Sequence, residues 1–131
     1  MTLFNSIFKN TPVEPQASKI NWIPLTEIDQ IDEIIKNSSV KLLLIFKHST
    51  RCSISRMALK QFENEFDLDN KVTAYFLDLL NYREISNAVS EQFNVIHQSP
   101  QLLLIQNGSA IYDASHSAIS ATFIKTFVAT K

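Results

Sequence analysis

Residues 40–46, Val-Lys-Leu-Leu-Leu-Ile-Phe, form an almost unbroken apolar run. The run is far shorter than the ~20 residues of a membrane span. It also lacks the polar face that a surface helix or a one-sided strand would show. Such a segment is stable as a strand covered on both faces, so the chain must supply a layer of structure on each side of it. Amphipathic helices are the available cover. Residues 26–38 set Ile28, Ile31, Ile34 and Ile35 on one helical stripe, with Thr26 as an N-cap. Residues 53–66 do the same with Met57, Ala58, Phe62 and Phe66. Residues 81–94 begin with Asn81 and Glu84 in capping-box spacing and turn Ile85, Val89 and Phe93 inward. Residues 117–129 form a last helix carrying Ile119, Phe123, Ile124 and Phe127.

The remaining β-rich segments complete the sheet. Residues 71–79 read as a second strand. Residues 101–106 and 109–113 flank Asn107-Gly108, a strong two-residue hairpin signal. The order is α-β-α-β-α-β-β-α. Strands joined through helices pair in parallel with right-handed crossovers, and the hairpin is antiparallel. The expected architecture is α/β: a central mixed sheet of about four strands with helices on both faces. Residues 20–131 are expected to form a single domain. Residues 1–19 read as a leader, with Pro12 and Pro15, whose Phe4, Ile7 and Phe8 dock on the body.

Charge and composition narrow the function classes. A net charge of −1 with scattered basic residues lacks the footprint of a nucleic-acid or anionic-membrane binder. Gly108 is the single glycine, so no Gly-rich phosphate loop is available. The first residues lack the basic, apolar and small-residue pattern of an export signal. With one cysteine only, this points to a cytoplasmic protein whose thiol stays free.

That cysteine, Cys52, follows the 40–46 strand by a short loop and opens the 53–66 helix. Unpaired N–H groups at a helix start carry partial positive charge and favour a thiolate. Lys47, His48 (if protonated), Arg51 and Arg56 add positive charge nearby. The alternative is a small buried hydrophobe, the usual fate of a free cysteine. Cys52-Ser53-Ile54-Ser55 is a CxxS sequence: a hydroxyl stands where a second thiol would resolve a mixed disulfide. Ser55, one turn on, is placed to donate a hydrogen bond to the sulfur. Further along, Ser99-Pro100 precedes an apolar strand, where proline suits the first position and its peptide bond is either cis or trans. His48, His97 and His116 show no paired ligand spacing, and no second cysteine is available, so no metal site is expected.

Strand, cysteine at a helix start, strand, helix, proline before a strand, hairpin and helix together resemble the thioredoxin fold. Lys47-His48-Ser49-Thr50-Arg51-Cys52-Ser53-Ile54-Ser55 is similar to the active-site segment of the monothiol bacilliredoxins, the YtxJ-like proteins of the bacillithiol system. Ser115-His116-Ser117-Ala118-Ile119-Ser120 and Trp22 also resemble segments of that family, and the likeness spans about residues 20–125. One departure is Ser53, where family members commonly have proline. The resemblance implies a monothiol oxidoreductase that removes bacillithiol from protein mixed disulfides, with Cys52 as nucleophile. Arg51, Ser55 and His48 would stabilise its thiolate. Thr50, Ser99, Pro100, Lys47 and Arg56 would bind substrate: the backbone of Ser99 by pairing with an extended segment, and the basic residues by holding the malate carboxylates of bacillithiol. No permanent cofactor is implied; bacillithiol is a co-substrate. The implied partners are bacillithiolated proteins, a low-molecular-weight thiol and a reductase. The competing readings are a non-catalytic thioredoxin-fold binding module and a thiol redox sensor.

Overall fold

The computed structural model describes residues 20–68 and 70–129. The expected docking of the leader lies outside these residues. Strand β1 (Ile23–Pro24) leads to helix α1 (Asp29–Asn37), strand β2 (Leu42–His48), helix α2 (Ser53–Glu65) and strand β3 (Val72–Asp78). Helix α3 (Arg83–Gln92), the hairpin β4 (Gln101–Gln106) and β5 (Ser109–Ser115), a 3-10 turn at His116–Ala118 and helix α4 (Ala121–Ala129) follow. The sheet order is β1-β3-β2-β4-β5. β1 and β2 run parallel to β3, whereas β4 is antiparallel to both β2 and β5.

β2 is buried along its whole length, as an apolar central strand requires. Its side chains alternate between two cores. Leu42, Leu44 and Phe46 face Phe62 of α2, Phe66 just past its end, and Ala121 and Ile124 of α4. Leu43 and Ile45 face Ile31 and Ile34 of α1 and Ile85 and Val89 of α3. Trp22 caps the first core, with its ring 6.0 Å from Phe46 and 5.6 Å from Phe76 in edge-on packing. Its indole Nε1–H donates to Glu63 at 2.7 Å.

The sheet has five strands rather than four, because two-residue β1 is too short to show a period-2 pattern. α1 begins at Asp29, later than Thr26, since Gln30 takes over the capping. Its side-chain oxygen accepts from the N–H groups of Thr26 and Glu27, and its amide donates to the Pro24 carbonyl. Asn81 does not cap α3. Its side-chain amide donates to Asp78 at 2.7 Å instead. Ile28, Met57 and Phe123 were expected on inward stripes but are 46%, 71% and 44% exposed. The hairpin holds as read, with Asn107 and Gly108 at φ 53° and 78°, both in the left-handed region that a type I′ turn needs.

Candidate active site

The C-terminal end of β2 feeds the loop Ser49–Arg51, and Cys52 is the N-cap of α2. A turn bond from the Cys52 N–H to the Ser49 carbonyl, 3.1 Å, closes the loop. The Arg56 N–H then donates to the Cys52 carbonyl at 3.0 Å as the first helical bond. The N–H groups of Ser53, Ile54 and Ser55 therefore come before the helical ladder, directly after the cysteine. Cys52 is a free thiol, partly exposed. The positive end of the α2 dipole therefore lies at the cysteine. Arg51 and Thr50 are exposed beside it. Arg56 reaches back across the loop and donates to the Thr50 carbonyl at 3.2 Å.

Ser55 differs from expectation. It is completely buried, and its Oγ accepts from the Ser49 N–H at 3.0 Å and meets His48 Nδ1 at 2.8 Å. The hydroxyl thus braces the loop against the helix rather than bonding the sulfur. His48 is 4% exposed and packs against Phe76 with ring centroids 5.4 Å apart and planes tilted by 46°. Burial pushes its pKa below the usual 6.5, with Arg56 adding to the effect and Asp78 opposing it. At pH 7 the ring is neutral, so it contributes a hydrogen bond and not the positive charge expected beside the sulfur.

Ser99 and Pro100 come to the same end of the sheet. Lys47 pairs with Gln101 across β2 and β4, and the same register brings Pro100 beside His48. The Ser99-Pro100 peptide is cis. The Pro100 carbonyl accepts from the His116 N–H at 3.1 Å. His116, at φ 55°, thereby joins the 3-10 turn to the proline edge. The Ser99 hydroxyl oxygen is buried with no partner among the described residues. Beside the start of α2, an apolar groove is lined by Ile54, Met57, Ala58, His116 and Ile119.

Lys47 is the one expected ligand-binding residue that the structure takes away. It is wholly buried and lies on the α1–α3 side of the sheet, opposite to the α2 side. Period-2 alternation explains this: Lys47 continues the Leu43–Ile45 face, whereas His48 continues the Leu44–Phe46 face. Its amine reaches Ser90 and His97, and among the described residues it meets no carboxylate. Desolvation lowers its pKa from 10.5 to about 8. Among the described residues no three of His, Cys, Asp and Glu gather as a metal ion would need. Nor is any helix there long and apolar enough to cross a membrane.

The family described as monothiol bacilliredoxin BrxC matches residues 23–124. The chain belongs to that family. The match takes in the Cys52 segment, the cis-proline edge and the His116 turn. A solved structure described as a candidate oxidoreductase with a thioredoxin fold superposes with a TM-score of 0.69 at 30% identity, covering 80% of this chain and 91% of that one. Fasciola hepatica thioredoxin gives 0.64 at 16% identity, covering 82% and 98%. A poplar thioredoxin h mutant gives 0.64 at 16%, covering 92% and 88%. The fold is thus that of thioredoxin, and family and fold together support thiol redox chemistry. Reasoning from the sequence missed the polar cluster of Lys47, Ser86, Ser90, His97 and Gln101 under the sheet. The usable signal was the parity of Lys47, which puts it on the inward face shared with Ile45.

Proposed function

We propose that this bacilliredoxin is a cytoplasmic monothiol oxidoreductase that removes bacillithiol from proteins. Cys52 thiolate attacks the bacillithiol sulfur of a protein mixed disulfide. The protein sulfur leaves as a thiolate and takes up a proton, and Cys52 carries the bacillithiol as a new disulfide. A second bacillithiol thiolate, or a partner reductase, then attacks that adduct and returns Cys52. The observation that carries this reading is the placement of the chain's sole thiol at an exposed helix start, with the CxxS hydroxyl buried and already bonded. With no second thiol to resolve it, the adduct depends on an external one.

The surroundings support the roles assigned. Amides of the first turn of α2 and the Arg51 guanidinium offset negative charge on the sulfur. The backbone of Ser99 pairs with an extended client segment, and Pro100 holds that edge. Arg51, Arg56 and Thr50 are exposed around the sulfur and bind the carboxylates and hydroxyls of bacillithiol. No resident cofactor takes part. Clients are bacillithiolated proteins, and the Ile54–Met57 groove offers them apolar contact.

Intact mass after exposure to bacillithiol disulfide, with glutathione disulfide alongside, tests the reading. A bacillithiol adduct on Cys52 that clears rapidly on adding free thiol is expected. Cys52→Ser is expected to form no adduct and to melt close to the parent. An adduct that forms but persists favours a sensor, and the absence of any adduct favours a binding module.

A further inference from the structure

Two side chains beneath the sheet hold the segment that leads into the cis-proline. Lys47 and Gln101 sit directly opposite each other on β2 and β4, so both face α1 and α3. They are 0% and 1% exposed. The Lys47 amine donates to Ser90 Oγ on α3 at 2.7 Å and to His97 Nδ1 at 3.2 Å. Ser86 of α3, also fully buried, has its hydroxyl 3.5 Å from the same ring nitrogen. Gln101 Nε2 donates to the Ile96 carbonyl at 2.9 Å, and its Oε1 accepts from the Gln98 N–H at 3.3 Å. Three consecutive residues, Ile96, His97 and Gln98, are therefore tied from below, and Ser99-Pro100 follows at once.

An ammonium group buried without a carboxylate is costly, and a methionine would fill the same space between Ile45 and α3 without that cost. The position is a plain packing site for its neighbours Leu43 and Ile45. What distinguishes Lys47 is the reach of its amine to α3 and to the 96–98 segment together.

We propose that Lys47 and Gln101 form a buried clamp that positions the Ser99-Pro100 edge for client binding. Lys47 is a positioning residue: it touches neither Cys52 nor the substrate and acts through His97 on the turn. Gln101 fixes the backbone on either side of that histidine. The proposal rests on the reading of Ser99 as the edge that pairs with an extended client, and it adds the device that sets the edge.

Lys47→Met, with Ser90→Ala as the milder companion, separates the possibilities. Steady-state reduction of a bacillithiolated peptide is expected to show KM raised ~fivefold or more in Lys47→Met, with kcat within about twofold. Amide hydrogen exchange, followed by mass spectrometry on the unreacted protein, is expected to accelerate ~tenfold or more over residues 96–98, while β2 and β3 keep their protection. Unchanged exchange over 96–98 in both variants overturns the clamp. So does exchange accelerated evenly over the whole sheet, which marks a merely structural lysine. An unchanged KM beside locally accelerated exchange overturns the link to client binding. If the parent protein itself fails to turn over the peptide, the functional reading falls, and the exchange data alone still decide whether the clamp exists.

Discussion

Ser55 occupies the place where a dithiol relative would carry its resolving cysteine, yet its hydroxyl is committed elsewhere. Its oxygen receives the Ser49 N–H, and the lowered pKa of His48 leaves Nδ1 free to accept the hydroxyl hydrogen. One small side chain thus ties the loop, the end of β2 and the first turn of α2. Ser55→Ala strands the buried His48 nitrogen and the part-buried Ser49 N–H, and a loss of about 1–3 kcal/mol in urea-unfolding stability is expected. The adduct chemistry of Cys52 should survive that change, as read by mass. The CxxS spacing was legible in the sequence. The partner of the hydroxyl was not, because His48 and Ser55 are seven residues apart and meet only once the loop has turned. Lys47 was misjudged for a related reason: basic residues near a thiol in sequence divide between two faces when the segment is a strand.

Elements meet through similarly specific contacts. Ser38, at the end of α1 and 2% exposed, receives the turn of the β4–β5 hairpin. Its hydroxyl donates to the Ile35 carbonyl at 2.7 Å and accepts from the Gly108 N–H at 2.8 Å. Its carbonyl accepts from the Asn107 N–H at 2.9 Å. Ser38→Ala is therefore expected to cost about 1–3 kcal/mol in equilibrium unfolding and to speed hydrogen exchange in the hairpin before the rest of the sheet. Asn107-Gly108 announced the turn, since few other pairs accept φ above zero at both positions. Nothing local announced Ser38 as its anchor, 70 residues away. The helix starts expected at Thr26 and Asn81 fall later in the chain, because Gln30 and Asp78 take the groups that a standard cap would use. Periodicity found the helices themselves, because each must cover a strand that has no polar face.

At the scale of the whole molecule, the buried basic groups set a pH profile. Lys47 has a pKa of about 8 in the folded chain, against 10.5 when unfolded. Between those values the unfolded chain binds the extra proton, so this group makes stability rise with pH across that window. The rise is on the order of 3 kcal/mol in full. Comparing the parent with Lys47→Met by urea unfolding at pH 7.5 and pH 10 is expected to reveal it in the parent alone. His48 and His97 are also shifted down, in each case mainly by burial. Their neutral forms support the fold above 6.5, and that support fades as acid carries the pH down through their folded values. Fold class was readable because two-faced strands, helical stripes and an Asn-Gly hairpin agree on one topology. The bonded network at the site was not, because it depends on which of two adjacent residues looks up and which looks down. β2 acts as a shared ruler for both networks. Sliding it by a single notch against its neighbours would hand the amine to the Cys52 side of the sheet and the imidazole to the side of α1 and α3. Insertions or deletions between residues 42 and 48 should therefore be far less tolerable than substitutions there.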